Sequence, residues 1–444
     1  MIKKLGLGIS GLIVAGAAYY FMGCSEQITA EIKKQVNAEL SNAATYGFVV
    51  EERQTKKKSE HFVLSFDDTA KITNFLNTQG IQIHARDIEN LKGLKLGVDM
   101  TYLADAYSAV SLDIYPLTLP TALHAVMQEP EDKKILTQID AVLKKKAILI
   151  HLDVNKLANG FKGYVKDIDE TFTSEKNVHI TLKDMTFKGD LKDQTPENVS
   201  QNVKEITLSL ADELTVTLKA LQSHYVKTGA TAYDYKTDYS MEQMSLKTNE
   251  AFSVHADHLT ISATSNVKNN LASGTVTSII RTLTLEEKGQ KTIIDAFVVN
   301  TDASNLDMTA LAKLEKIDPD NEEEASKVLQ QLISKGVTLN ISDVSAKNIL
   351  HKQQDLGGFT LSAHLDIDKS LNVQATNQNP LAALNAVDAN VKVSLDKALF
   401  SLIAKQPQAM MALMLFQPKD EQGKKVYHLE LKDGKFSANG VSVN

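Results

Sequence analysis

From about residue 46 onward, most of the chain alternates apolar and polar residues, the period of a strand with one buried and one wetted face. His179 to Asp184, Glu205 to Leu210, Leu214 to Leu218, His258 to Ala263, Val337 to Ile341 and Phe359 to Ile367 all carry this pattern. Thr, Val, Ile and Leu dominate these runs, as a pleated surface favours. Three runs resemble one another: Ile180 to Gly189, Leu339 to Asn348 and Leu429 to Ala438. Each places an aspartate, Asp184, Asp343 or Asp433, between two alternating stretches, where its side chain can hydrogen-bond nearby backbone. A stacked repeat building a long sheet is the expectation.

Helical spacing interrupts the strands. Leu306 to Lys316 and Glu322 to Lys335 flank Asp318-Pro319-Asp320-Asn321, with Asn321 as N-cap and Gly336 as stop. Asp132 to Lys146 reads as a helix, and so does Ser394 to Phe416, with Pro407 marking a bend. Ser25 to Asn42 repeats Ile28, Ile32, Val36 and Leu40 every four residues, an amphipathic helix. The pattern predicts an α+β, β-rich fold: extended or curved, mostly antiparallel sheets with a few packed helices, after one N-terminal transmembrane helix. The expected divisions are 1–24 (membrane segment), 25–45 (juxtamembrane helix), 46–305 (β-rich) and 306–444 (α+β).

The first residues supply the membrane expectation. Leu5 to Gly23 has no charged residue, and at about 1.5 Å per residue it reaches roughly 28 Å, close to the ~30 Å hydrocarbon core. Lys3 and Lys4 keep the N-terminus cytoplasmic and put the rest outside. Three fates stay open. The segment is an uncleaved anchor, or a lipoprotein signal with Cys24 as the lipidated residue, or a signal cleaved after Ala15-Gly16-Ala17. Gly6-Leu7-Gly8-Ile9-Ser10-Gly11 matches a dinucleotide fingerprint literally. It lacks the preceding strand and crossover helix that such a site requires.

Composition narrows the chemistry. The net charge is −7, and the Lys56–Lys58 and Lys144–Lys146 clusters are short, so no nucleic-acid partner is expected. Cys24 is the only cysteine, which excludes an internal disulfide, a cysteine metal site and a cysteine nucleophile in the domain. Metalloprotease, hydrolase-elbow and P-loop motifs are absent from the sequence. His255 and His258 lie three apart, the wrong parity for joint ligation on a strand. Asp318 to Glu322 begins like a calcium loop but has Glu323 and Leu329 where Gly and Glu belong. Neither cofactor nor metal is expected, and neither is catalysis. Tyr233, Tyr235 and Tyr239 share a face if Ala232 to Met241 is a strand, and they are candidates for an amphipathic groove. Met410, Met411 and Met414 are candidates for lipid or peptide contact, against plain core packing.

The order of features resembles the YdgA-like family of bacterial envelope proteins, a domain of unknown function. The resemblance rests on Gly23 ending the anchor, then a charged helix with Ile28 and Ile32, then long alternating strands. Asp355 to Ser362, Val391 to Asp396, Tyr427 to Gly434 and Asn439-Gly440 complete it. It implies a single-span inner-membrane protein with a periplasmic domain, and it supplies no catalytic residues. The strand-Asp-strand texture is also similar to AsmA-like envelope proteins, whose extended sheets form lipid-conducting grooves. The expected function is a membrane-tethered periplasmic binding or scaffolding protein in envelope maintenance, holding lipid or a hydrophobic segment. The alternatives are a self-associating interaction protein without ligand and an outer-membrane lipoprotein. The expected partners are the membrane, lipid and envelope proteins.

Overall fold

The computed structural model describes residues 28–442, apart from 79–87, 175, 193–194, 212, 232, 315–316, 318–320 and 407–415. The membrane segment with Cys24, and Met410, Met411 and Met414, lie outside the described residues. No described helix is long and apolar enough to cross a membrane. The chain divides after Lys227 into two compact units. The division expected at 305/306 falls inside a strand instead.

In the first unit, α1 (Ile28–Asn42) leads into the hairpin of β1 (Phe48–Thr55) and β2 (Ser59–Phe66). Helix α2 (Thr69–Thr78), β3 (Lys95–Tyr102) and β4 (Ser108–Thr118) follow. Helices α3 (Thr121–Val126) and α4 (Pro130–Lys144) precede β5 (Ile150–Asn155) and β6 (Gly160–Val165). Then come β7 (Ile168–Phe172), β8 (Val178–Lys183) and β9 (Met185–Lys192). The long strands β10 (Thr195–Leu210) and β11 (Leu214–Lys227) close the unit. Every pairing is antiparallel: β1–β2–β3–β4–β5–β6–β9–β10–β11, with β8 continuing β9 along β10 and β7 beside β8.

Helices lie on this sheet and a conventional core forms. Val36 and Leu40 of α1 and Ile72 and Leu76 of α2 join Met100, Leu112, Leu152 and Phe161 in one buried cluster. That cluster lies wholly within the first unit. Burying such side chains contributes roughly 1.5–3 kcal/mol each. Gly163 of β6 stands opposite Leu152 and Phe187, where a Cβ would run into the His151 carbonyl and the Phe187 ring.

The second unit opens with β12 (Tyr235–Thr248), β13 (Phe252–Lys268), β14 (Leu271–Glu287) and β15 (Gln290–Asp307). Helices α5 (Met308–Leu314) and α6 (Glu322–Leu332) interrupt. The Asn321 side chain accepts from the Glu324 amide, the expected cap, and Gly336 ends the turn at φ +76°. Strands β16 (Val337–Ala346), β17 (Asn348–His351), β18 (Gln354–Asp355) and β19 (Phe359–Ile367) follow. Helix α7 (Val373–Gln378), β20 (Val387–Asp396) and α8 (Lys397–Ile403) come next. The unit ends in β21 (Lys419–Glu421), β22 (Lys424–Lys432), β23 (Lys435–Ala438) and β24 (Val441–Ser442). The antiparallel order is β12–β13–β14–β15–β16–β19–β20–β22–β23–β24.

The helix expected over Ser394 to Phe416 is corrected to Lys397–Ile403 within the described part. Ser394 to Asp396 instead ends β20, because Val391, Val393 and Leu395 alternate and pair with both β19 and β22. The three similar aspartates also differ in setting. Asp184, at φ +48°, joins β8 to β9 in mid-ladder. Asp433, at φ +51°, makes a tight hairpin turn with Gly434, and Asp343 sits at a register shift between β15 and β16.

The long strands share one further device. His258 in β13 and Ala296 in β15 both have φ +51°, in the left-handed region. The residues opposite them, Glu242 and Arg281, drop out of the ladder, and pairing resumes in register on either side. One residue stands opposite one throughout, so the left-handed residue interrupts the ladder without adding a position to it. Apolar residues occupy even positions before His258 (Val254, Ala256) and odd positions after it (Leu259, Ile261, Ala263). Ala220, at φ +51° in β11, interrupts the β10–β11 ladder in the same way.

Candidate functional site

The sheet of the second unit sorts its side chains by row. One row runs Ala263, Val276, Thr301, Ile341, Ala363, Val391, Leu429, directly opposed across β13 to β22. The next row on the same face is Tyr235, Ser265, Gly274, Ala303, Leu339, Leu365, Ala389. All of these residues but Leu429 line a cavity of about 710 Å³, which Leu306 and Leu311 and the polar Thr264, Asp302, Asn340 and His364 also border. Gly274, Ala263, Ala272 and Ala303 keep its floor low, and Tyr235 and Leu339 are taller. Val276 remains 42% exposed and Leu339 37%. This apolar face thus contrasts with the closed core of the first unit.

The intervening positions point the other way, by the pleat, and are polar. Thr264 and Thr275 exchange a 2.7 Å hydrogen bond. Asn340 donates to Asp302 at 2.8 Å, and His364 contacts Asp366 at 2.8 Å, with Thr338 donating to the same aspartate at 2.6 Å. Asp366 is held below the ordinary carboxylate range, first by the Thr338 hydroxyl and then by His364. One face is thus polar, with side chains hydrogen-bonded across the strands, while the other is apolar.

The tyrosines divide on this plan. Tyr235 is the first residue of β12, and Tyr233 stands in the turn before it, so the expected strand from Ala232 is corrected at its start. Both line the cavity. Tyr239 shares Tyr235's face but lies outside the cavity, 46% exposed. His255 contacts Asp257 at 3.1 Å, and no group of three metal-ligating side chains occurs among the described residues.

A second cavity, of about 300 Å³, lies in the first unit and was not anticipated. Asp99, Asp105, Asp113, His151 and Asp153 line it. Cross-strand register assembles them: Asp99 opposes Asp113, and Asp113 opposes His151. His151 Nδ1 lies 2.7 Å from Asp113 Oδ1, and its Nε2 lies 3.4 Å from Asp153 Oδ2. The Asp113 hydrogen bond raises the His151 pKa above its ordinary value against burial, which opposes it. Asp99 pairs with Lys146 at 2.9 Å and His61 at 2.6 Å. Burial pushes Asp99 up, but hydrogen bonds from Lys146, His61 and Tyr115 outweigh it and hold the carboxyl low. Lys146, of the short Lys144–Lys146 cluster, pairs with Asp99 and lies 3.7 Å from the Tyr115 ring centroid.

No family model, curated protein or solved structure matches this chain.

Proposed function

We propose that the chain is a membrane-tethered envelope protein whose second unit holds an acyl chain across the apolar rows of its sheet. The observation that carries the reading is the partly exposed apolar row from Ala263 to Leu429 together with the cavity along it. Seven strands at a spacing of ~4.8 Å give a track of about 29 Å. One leaflet's acyl chain is about 15 Å long, half the ~30 Å hydrocarbon core, so a whole chain fits across the strands. Side-chain chemistry supports the same ligand. The two rows themselves carry no charged group.

The tether belongs to the proposal as well. Lys3, Lys4 and the uncharged run to Gly23 would place the domain in the periplasm, as the resemblance to the YdgA-like family implies. Cys24 leaves lipid attachment as the alternative anchor in the same compartment.

The chain has no tryptophan, so Leu361→Trp places a single reporter beside the cavity. In the full chain reconstituted in nanodiscs, a brominated fatty acid should quench that tryptophan saturably at about one equivalent. Val276→Asp should abolish the quenching while the circular dichroism spectrum stays unchanged. Linear, non-saturable quenching that Val276→Asp leaves intact would remove the reading.

A further inference from the structure

Both ring nitrogens of His151 face carboxylate oxygens, Asp113 Oδ1 at 2.7 Å and Asp153 Oδ2 at 3.4 Å. A neutral imidazole has one N–H and one lone pair, so it can satisfy only one of these acceptors, and the other oxygen then meets a lone pair. The imidazolium satisfies both. We propose that His151 is a proton-operated latch in the first unit, bridging Asp113 on β4 and Asp153 on β5 when the ring is protonated and bonded to only one of them when it is neutral.

The surroundings favour the charged ring. Asp113 lies directly opposite His151 across the β4–β5 ladder. From β6, Tyr164 stacks on the imidazole with centroids 4.9 Å apart. The Ser111 hydroxyl on β4 donates to Asp153 and fixes that carboxylate, whose side chain is only 12% exposed. The charged groups around the cavity come from every neighbouring element. Strand β3 brings Asp99, already neutralised by Lys146 and flanked by His61. The β3–β4 turn brings Asp105, whose carboxylate accepts from the Tyr107 and Ser108 amides. Strand β6 brings Lys162, engaged over the Tyr107 ring at 4.4 Å. Lys146 is committed to Asp99, and Lys162, opposite Asp153 across the β5–β6 ladder, lies over the Tyr107 ring, so the proton on His151 is the positive charge placed between Asp113 and Asp153.

The sign follows from the raised folded-state pKa. The unfolded ring titrates at about 6.5. The latch contributes stability that is complete below that value and is lost as pH rises through the higher folded value. Deprotonation leaves one of the two carboxylates facing a ring lone pair, and the β4–β5 pairing loosens. This inference concerns the first unit and does not depend on the acyl-chain reading.

The test is hydrogen–deuterium exchange by mass spectrometry on the full chain in nanodiscs, following the His151 Cε1 hydrogen and the amides of β4 and β5 across pH. The His151 midpoint should exceed 6.5, and Asp113→Asn should lower it by about one pH unit or more. Amide exchange in β4 and β5, corrected for intrinsic rate, should rise several-fold through that midpoint in the wild type. His151→Gln should remove the step. If Asp113→Asn does not fold, the wild-type midpoint and amide step still decide the matter, and Asp153→Asn supplies the second variant. A His151 midpoint at or below 6.5, or amide exchange that ignores the titration, would overturn the latch.

Discussion

Ala296 lies two strands from His258 and repeats its backbone conformation, φ +51° in each. Both residues stand opposite Arg281, and the ladder resumes in the same register past them. Neither is glycine, so each strand carries a local cost of about 1–2 kcal/mol for a left-handed L-residue. Ala296→Gly relieves that cost but adds unfolded-state entropy, and should stabilise the protein by about 0.5 kcal/mol or leave it unchanged. Ala296→Val should destabilise it by about 1–2 kcal/mol, since a β-branched residue resists positive φ. Urea titration of the two variants reads the difference directly.

Glu60 is buried at 3% exposure and accepts from the Tyr102 hydroxyl at 2.7 Å and from Arg53 at 2.7 Å. Burial and the adjacent Glu60 carboxylate push the Tyr102 hydroxyl pKa strongly upward, so it remains a donor. Tyr102→Phe should cost about 1–3 kcal/mol by removing one donor from a buried carboxylate. Arg53→Met should cost more, about 3–5 kcal/mol, because a buried charge loses its counter-ion. Thermal unfolding of both variants tests the order, and equal losses would contradict it.

Gly163 is required by space, not by backbone freedom. Gly163→Ala should cost about 1–3 kcal/mol by overpacking against the Phe187 ring and the His151 carbonyl. Adding Phe187→Leu should recover part of the loss if the clash with that ring is the cause.

Much of the strand content was legible in the period-two pattern, and the helix at Glu322–Leu332 was legible through its Asn321 cap and Gly336 stop. Three features were not. The helix extrapolated over Ser394 to Asp396 yielded to ladder pairing on both sides, a tertiary effect that local propensity does not contain. The left-handed interruptions at His258 and Ala296 are silent in sequence, because neither residue announces positive φ as glycine would. The cavity around His151 joins residues from Asp99 to Asp153 through register. Alternation showed which residues share a face but not which strands become neighbours. Of the candidate groove residues, Tyr233 and Tyr235 do line the apolar cavity, and the aliphatic rows that build most of it drew no attention because each strand alone looks ordinary.

The acyl-chain reading is tested most directly by photocrosslinking. The full chain is reconstituted in nanodiscs containing a diazirine-bearing fatty acid, irradiated and mapped by peptide mass spectrometry. Adducts should appear on β13 to β20, at or beside Val276, Ile341 and Ala363, and should vanish with Val276→Asp and with excess unlabelled fatty acid. Adducts confined to residues 1–27, or spread without regard to the apolar rows, would contradict the account.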